Sequence, residues 1–147
     1  MKIKLLGFAA ALAAVLSSPA GGSGSATPQS EARSAALGWL ALVDAGDYAR
    51  SWSEGAEYFR KSVPQSEWIR SVSQVRGPLG GLKSRRLLSA EYARRLPGAP
   101  DGEYFVLQFR TSFEQRAGLT ETVTPMKDPD GHWRVSGYYV RVRPPDQ

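Results

Sequence analysis

The chain of 147 residues contains no cysteine and a single histidine, His132. The first absence removes disulfides, thiol catalysis, cysteine metal sites and a lipid anchor on an N-terminal cysteine, so stability must come from packing alone. The second leaves His132 as the one imidazole that a Ser–His–Asp site could use. It follows the turn residues Asp130-Gly131, where a solvated ring is the commoner outcome, and no second histidine or thiol is at hand to share a metal ion. No phosphate-loop spacing and no internal repeat occurs. Nothing in the residues calls for a cofactor.

Long apolar runs are also missing, apart from Leu5–Leu16 near the start. That run is shorter than the roughly 20 residues a membrane-spanning helix needs. Lys2 and Lys4 precede it, and Ser18-Pro19-Ala20 follows it with small residues. Positive flank, short apolar stretch and small-residue cut site predict a secretory signal peptide over Met1–Ala20, cleaved after Ala20 or Ala26. The expected product is exported, periplasmic or secreted, with no membrane span once the leader is gone. Taking Lys2 and Lys4 away with the leader leaves seventeen basic residues against fourteen acidic ones, most of the basic ones arginine. So small an excess suits an anionic ligand or surface but is not the footprint of a nucleic-acid partner.

Gly21–Ser30 (GGSGSATPQS) reads as a flexible linker. Thr27-Pro28 or Ser30 can start a helix, since Thr and Ser cap and Pro suits the first turn. Over Glu31–Ala45, the residues Ala32, Ala35, Ala36, Trp39, Leu40 and Val43 form one apolar stripe at spacings of three and four. Gly46 stops it. Asp47 caps a second helix carrying Tyr48, Trp52, Ala56 and Phe59, short or bent because Gly55 lies within it. A third helix, about Pro64–Arg76, buries Trp68, Ile69, Val72 and Val75.

Strands follow. Ser84–Arg95 alternates loosely. Tyr104–Phe113 alternates cleanly, with Phe105, Leu107, Phe109, Thr111 and Phe113 on one face. Thr120–Met126 is rich in β-branched residues, and Pro125 predicts an edge position or a strand end. Trp133–Val142 carries apolar bulk on both faces, which predicts a central or doubly covered strand. Gly137 marks a bulge or bend, and that decides whether Tyr138 or Tyr139 faces inward. The reading is one α+β domain over residues 31–143 with a tail at 144–147, three helices packed on a curved four-stranded antiparallel sheet.

Several segments, in this order and spacing, resemble one family. They are AALGWLALVDAGDYARSW at Ala35–Trp52, RGPLG from Arg76 with Ser84-Arg85, PGAPDGEY at Pro97–Tyr104, ETVT from Glu121, and DGHWRVSGYY at Asp130–Tyr139. Together they are similar to the exported bacterial domain-of-unknown-function family numbered 4019, over about Glu31–Arg143. The resemblance implies no established activity. The layout is also similar to cystatin-like and nuclear-transport-factor-like cones, which is an analogy of fold and assigns no function.

The candidate ligand pocket is drawn from five residues: Trp52, Arg76, Arg85, Glu121 and Tyr138. Glu121 shares strand parity with Leu119 and Val123, so an inward face buries its carboxylate and demands a partner. Arg76, Arg85 or a tyrosine hydroxyl suits that role. Arg76 and Arg85 flank the glycine-rich loop Gly77–Gly81, whose backbone N–H groups suit an anion. Trp52 is a pocket wall if the helix around it is interrupted. Asp44, Asp47, Asp101, Asp128 and Asp130 sit at helix ends and turns, where aspartate caps and closes turns. No catalytic constellation is visible. The leading expectation is a non-enzymatic domain binding a small ligand or an envelope protein. One alternative is an isomerase- or dehydratase-like enzyme with Glu121 as base and Tyr138 as donor in an apolar pocket. Another is a protein-interaction domain working through its sheet. A cavity reached by Glu121 favours the enzyme, whereas a filled core with Glu121 locked to arginine argues against it.

Overall fold

A computed structural model describes residues 25–142. The predicted leader and its cut after Ala20, and the tail at 144–147, lie outside them. Helix α1 spans Pro28–Asp44 and starts at the first of the two predicted caps: the Thr27 hydroxyl accepts from the Ser30 N–H at 3.1 Å. The helix thus takes in the end of the expected linker. Ala32, Ala36, Trp39, Leu40 and Val43 are its buried stripe, as the spacing predicts. Gly46 turns the chain with φ +76°, and Asp47 caps α2 (Tyr48–Ser53) by accepting from the Arg50 N–H.

The expected second helix is two helices, so the described residues form four α-helices and not three. α2 ends at Ser53 and α3 runs over Glu57–Ser62. Between them Gly55 and Ala56 are buried, and the Ala56 N–H leaves the helical ladder to donate to the Val135 carbonyl at 2.8 Å. A bond to the sheet replaces the helical one there, which a local pattern of apolar spacing does not contain. A Cβ on Gly55 would lie 2.6 Å from the Phe59 ring and 3.1 Å from the Trp52 carbonyl. Gly55→Ala is therefore expected to destabilise the domain by about 1–3 kcal/mol through overpacking, despite alanine's better helix propensity. A shift of the urea midpoint in the stabilising direction refutes this account of the corner. Helix α4 (Gln65–Arg76) buries Trp68 and Val72 and ends in a single 3₁₀ turn, Gly77–Leu79. Val75, expected on its buried face, is 46% exposed.

Four antiparallel strands, β1 (Leu82–Ala93), β2 (Tyr104–Phe113), β3 (Leu119–Lys127) and β4 (Trp133–Val142), pair in sequence order. Two expectations about position are overturned. β3 is central, because the N–H that Pro125 lacks faces β2 where that ladder is open. Tyr104 pairs Met126 and Leu107 pairs Val123, with no pairing between. β4 is an edge strand. Its doubled apolar pattern comes from a bulge at Thr124/Pro125, where Gly137 opposes Thr124 and Val135 opposes Pro125, leaving Ser136 over. Before the bulge Trp133 and Val135 are buried. After it Tyr138 points inward and Tyr139 outward, 45% exposed. A second irregularity, between Leu87 and Ser89, explains why β1 alternates poorly. The helices cover one face, with α1 packed on β3 and β4. The core between them joins Ala36, Trp39, Leu40, Phe59, Trp68 and Val72 to Phe105, Leu107, Phe109 and Val123.

Candidate functional site

Each strand delivers one polar side chain to the same patch of the inner face. Arg85 on β1 is the cross-strand partner of Thr111 on β2, Glu121 on β3 pairs with Val140, and Tyr138 on β4 pairs with Val123. Diagonal neighbours on one face lie within reach of long side chains. The C-terminal residues of two helices, Asp44 of α1 and Arg76 of α4, close the group from above.

The Arg85 guanidinium bridges two carboxylates. Its Nε donates to Glu121 Oε1 at 2.7 Å, while Nη1 and Nη2 donate to the two oxygens of Asp44 at 2.8 and 2.9 Å. Only a planar five-donor fork can do this, so lysine is no substitute. Arg76 donates to Asp44 Oδ1 at 2.8 Å, and its Nη1 lies 4.0 Å from Glu121 Oε2. The Thr111 and Tyr138 hydroxyls each donate to Glu121, one to each oxygen, at 2.5 Å. The Arg76 guanidinium stacks over Phe113 with 4.5 Å to the ring centre. The side chains of Glu121, Arg76 and Arg85 are 0%, 3% and 8% exposed. Two carboxylates face two guanidiniums, so the buried cluster has no net charge.

The environment shifts these groups as the geometry requires. Burial opposes the charge on Asp44, but the hydrogen bonds and charges of Arg85 and Arg76 outweigh it and hold the carboxyl below its ordinary range. Burial likewise works against charge on Arg85 and Arg76, and their anionic partners more than restore it. Tyr138 is pushed up, first by burial, then by the nearby Glu121 charge and the hydrogen bond it donates to that carboxylate. Its phenol is thereby held neutral as a donor.

Of the five predicted site residues, Arg76, Arg85, Glu121 and Tyr138 thus converge. Trp52 stands apart: it is half-buried, and its indole N–H donates to the Val63 carbonyl at 2.7 Å, tying α2 to the link before α4. The aromatic wall over Tyr138 is formed by Trp39 and Trp68, with ring centres at 5.4 and 6.5 Å. Both indoles are satisfied through Ser51, Trp39 donating to its carbonyl and Trp68 to its hydroxyl. Two members of the cluster, Asp44 and Thr111, did not stand out in the sequence as site residues. Asp44 carried a signal of its own, because a carboxylate ending a helix opposes the helix dipole and wants a cation nearby.

The carboxylates of the cluster are fully engaged, while one buried donor, Arg76 Nε, has no hydrogen-bond partner among the described residues. Both Glu121 oxygens and both Asp44 oxygens accept from charged or hydroxyl donors, leaving neither placed to take a proton from a substrate. Among the described residues no group of three His, Cys, Asp or Glu side chains could hold a metal ion. His132 is exposed, its N–H donating to Asp130 within the turn.

Space for another molecule lies outside the cluster. An apolar cavity of about 180 Å³ opens between α4 and the free side of β4, lined by Trp68, Ser71, Val72, Val75, Tyr138, Tyr139 and Val140. Tyr138 is the one side chain shared by this cavity and the buried cluster. A wider cleft of about 500 Å³ separates α1 from the start of β4, with Gly38, Glu54, His132 and Arg134 on its walls. Its charged groups already have partners: Arg134 holds Asp128 and Asp130, and Glu54 holds Arg50.

No curated protein and no solved structure matches the chain. A family model does match, over residues 35–138, a stretch that contains Asp44, Arg76, Arg85, Thr111, Glu121 and Tyr138. The chain belongs to the family described as protein of unknown function, DUF4019.

Proposed function

We propose that this is an exported, non-catalytic binding domain that takes an extended polypeptide segment along the open half of β4, with an apolar side chain of that segment in the α4–β4 cavity. Export rests on the character of Met1–Ala20. A cystatin-like cone is the arrangement we favour for the fold, on the packing of helices over one face of the meander. The observation that carries the binding reading is the pairing of a strand edge left uncovered by the described residues with an apolar cavity beside it. The start of β4 is covered, since the Ala56 N–H occupies the Val135 carbonyl. Beyond the bulge, the edge runs open past Val75, Tyr139 and Val142, which are 46%, 45% and 57% exposed. Strand addition combines main-chain hydrogen bonds with side-chain pockets in this way.

At the α4–β4 cavity, size favours one side chain of a polypeptide over a whole small ligand; the wider cleft beside α1 is of small-molecule size, but Arg134 and Glu54 on its walls already have partners. Sites for small molecules usually enclose roughly 300–1,000 Å³. The cavity of about 180 Å³ suits one side chain. The acid–base alternative has little support, because Glu121 lies beneath Tyr138 with its oxygens taken by Arg85, Thr111 and Tyr138.

The test is a photo-crosslinking residue placed at Val75, at Tyr139 and, as a control on the far edge strand, at Glu91, in the cell that exports the protein. A polypeptide adduct is expected from positions 75 and 139 and not from 91. No adduct at either, or equal adducts at all three, overturns the reading.

A further inference from the structure

We propose that the segment taken by β4 is β4 of a second copy, paired antiparallel about a twofold axis at Val140. This names the partner of the interface just described and rests on that reading. In an antiparallel strand the N–H and C=O of one residue point to the same side, and the side alternates. The Thr124 carbonyl accepts from the Ser136 hydroxyl of β4, and the Lys127 N–H donates to Glu103 on the β2 side. Thr120, Thr122 and Thr124 therefore aim their backbone groups at β4, toward their partners Arg141, Tyr139 and Gly137. The intervening residues Tyr138, Val140 and Val142 must aim theirs away from the sheet. Among the described residues, no backbone hydrogen bond from outside the sheet reaches them.

Three outward residues at alternate positions define a short self-complementary edge. With Val140 opposite its own copy, Tyr138 meets Val142 of the partner and Val142 meets its Tyr138, so every outward group has a counterpart. Most oligomers of one chain are twofold and use a single patch twice in this manner. The side chains support the same register. On the outer face Tyr139 falls opposite Arg141 of the partner in a non-hydrogen-bonded pair, where side chains come closest. The two types are already matched within one chain, where the Arg141 guanidinium lies 5.1 Å from the Tyr139 ring centre. Moving the axis to Arg141 sets arginine against arginine. Moving it to Tyr139 runs Val142 against Ser136 in the bulge. On the inner face the pairing brings the exposed Val142 and the α4–β4 cavity of each copy together across the axis, where Val75 also stands exposed.

The test is sedimentation velocity on the chain as its own cell processes it, at concentrations up to about 200 µM, well above the micromolar range in which specific association is read. The wild type is expected at twice the monomer mass. Tyr139→Arg sets like charges opposite each other and removes the stack, and is expected to weaken the dimer about 100-fold. Tyr139→Glu sets opposite charges across the axis and is expected to keep the dimer, more tightly at low salt. Val140→Pro removes an outward N–H that the sheet does not use, which an edge strand tolerates. It is expected to give a monomer whose far-ultraviolet circular dichroism is that of the wild type. A wild-type monomer throughout the range, or a dimer indifferent to Tyr139→Arg and Val140→Pro, overturns the proposal. If crosslinks at Val75 and Tyr139 instead trap a different polypeptide, self-pairing fails while groove binding stands. If they trap nothing, both fail.

Discussion

Replacing Glu121 with glutamine is expected to cost the domain about 3–5 kcal/mol, the range seen when one partner of a buried ion pair is removed. Domains of this size commonly hold only about 5–15 kcal/mol in total. The cost arises less from lost attraction than from what remains. Asp44 cannot balance both Arg76 and Arg85, and the inner face of the sheet is left with an uncompensated positive charge under Trp39 and Trp68. An amide at position 121 also brings two donors into a place where Arg85, Thr111 and Tyr138 all donate. The measurement is urea unfolding, with the midpoint falling and the slope unchanged. The second arm is the double variant Glu121→Gln with Arg85→Met, which restores neutrality around the Asp44–Arg76 pair. It is expected to cost less than the sum of the two single changes by about 2 kcal/mol. Additive losses, or a single-variant loss under about 1 kcal/mol, refute the view that charge balance holds this cluster. A buried ion cluster is weak evidence for stability gained over an apolar core. Its plainer consequence is specificity: sliding any one of the four strands by a residue turns its polar side chain out of the group and leaves charge unpaired.

Where physics is local, the sequence could be read. The α1 stripe from Ala32 to Val43 follows from spacing alone, and the Gly46 stop from one residue's conformational freedom. Glu121 was legible for a different reason. A carboxylate among Leu119 and Val123 on a buried parity violates the strand's own pattern, and such a violation calls for a cation. Arg85 and Arg76 were then the nearest available partners, and both are there.

What escaped was set by contacts distant in the chain. Pro125 argues against a central strand only if its missing N–H is needed, and that depends on a gap in the β2 ladder twenty residues away in sequence. Apolar residues on both faces of β4 looked like double burial. They are instead one face changing sides at the Ser136 bulge, and the exposed remainder, Tyr139 and Val142, marks an open edge. Ala56 has the periodicity of a helix and the hydrogen bond of a sheet cover. Asp44 resembles any aspartate near a helix end until the dipole is considered, and Thr111 resembles any β-branched strand residue. Neither reveals in sequence that Arg85 will bring them to one site.

The same cluster sets a limit on the alkaline side. The Tyr138 phenol is raised above its unfolded value of about 10, so it contributes stability fully present below that pH and lost as pH climbs toward the folded value. Where the unfolded phenol is ionised and the folded one is not, each pH unit removes up to about 1.4 kcal/mol, or about 2 kcal/mol between pH 10, where the unfolded phenol is half ionised, and pH 12. The cause is specific: ionisation would set a phenolate against Glu121 Oε2, in a buried site where the hydroxyl is needed as a donor. Arg76 beside it lowers the cost only in part, since its Nη1 stands 3.5 Å from the phenol oxygen and its Nη2 is committed to Asp44. Tyr138→Phe is therefore expected to show two opposite effects in one pH series of urea titrations. Near pH 7 it is less stable by about 1–3 kcal/mol, because Glu121 loses a donor. Above pH 10 its stability falls less steeply than that of the wild type, and the two curves converge. Some alkaline slope remains, because burial raises Tyr104 in the same direction while its hydroxyl donates to the Pro100 carbonyl. Parallel curves across the alkaline range exclude Tyr138 as the titrating group. A wild type whose stability is flat to pH 12 shows that the phenol reaches water, and that the sheet patch between Arg76 and Glu121 opens before the domain unfolds.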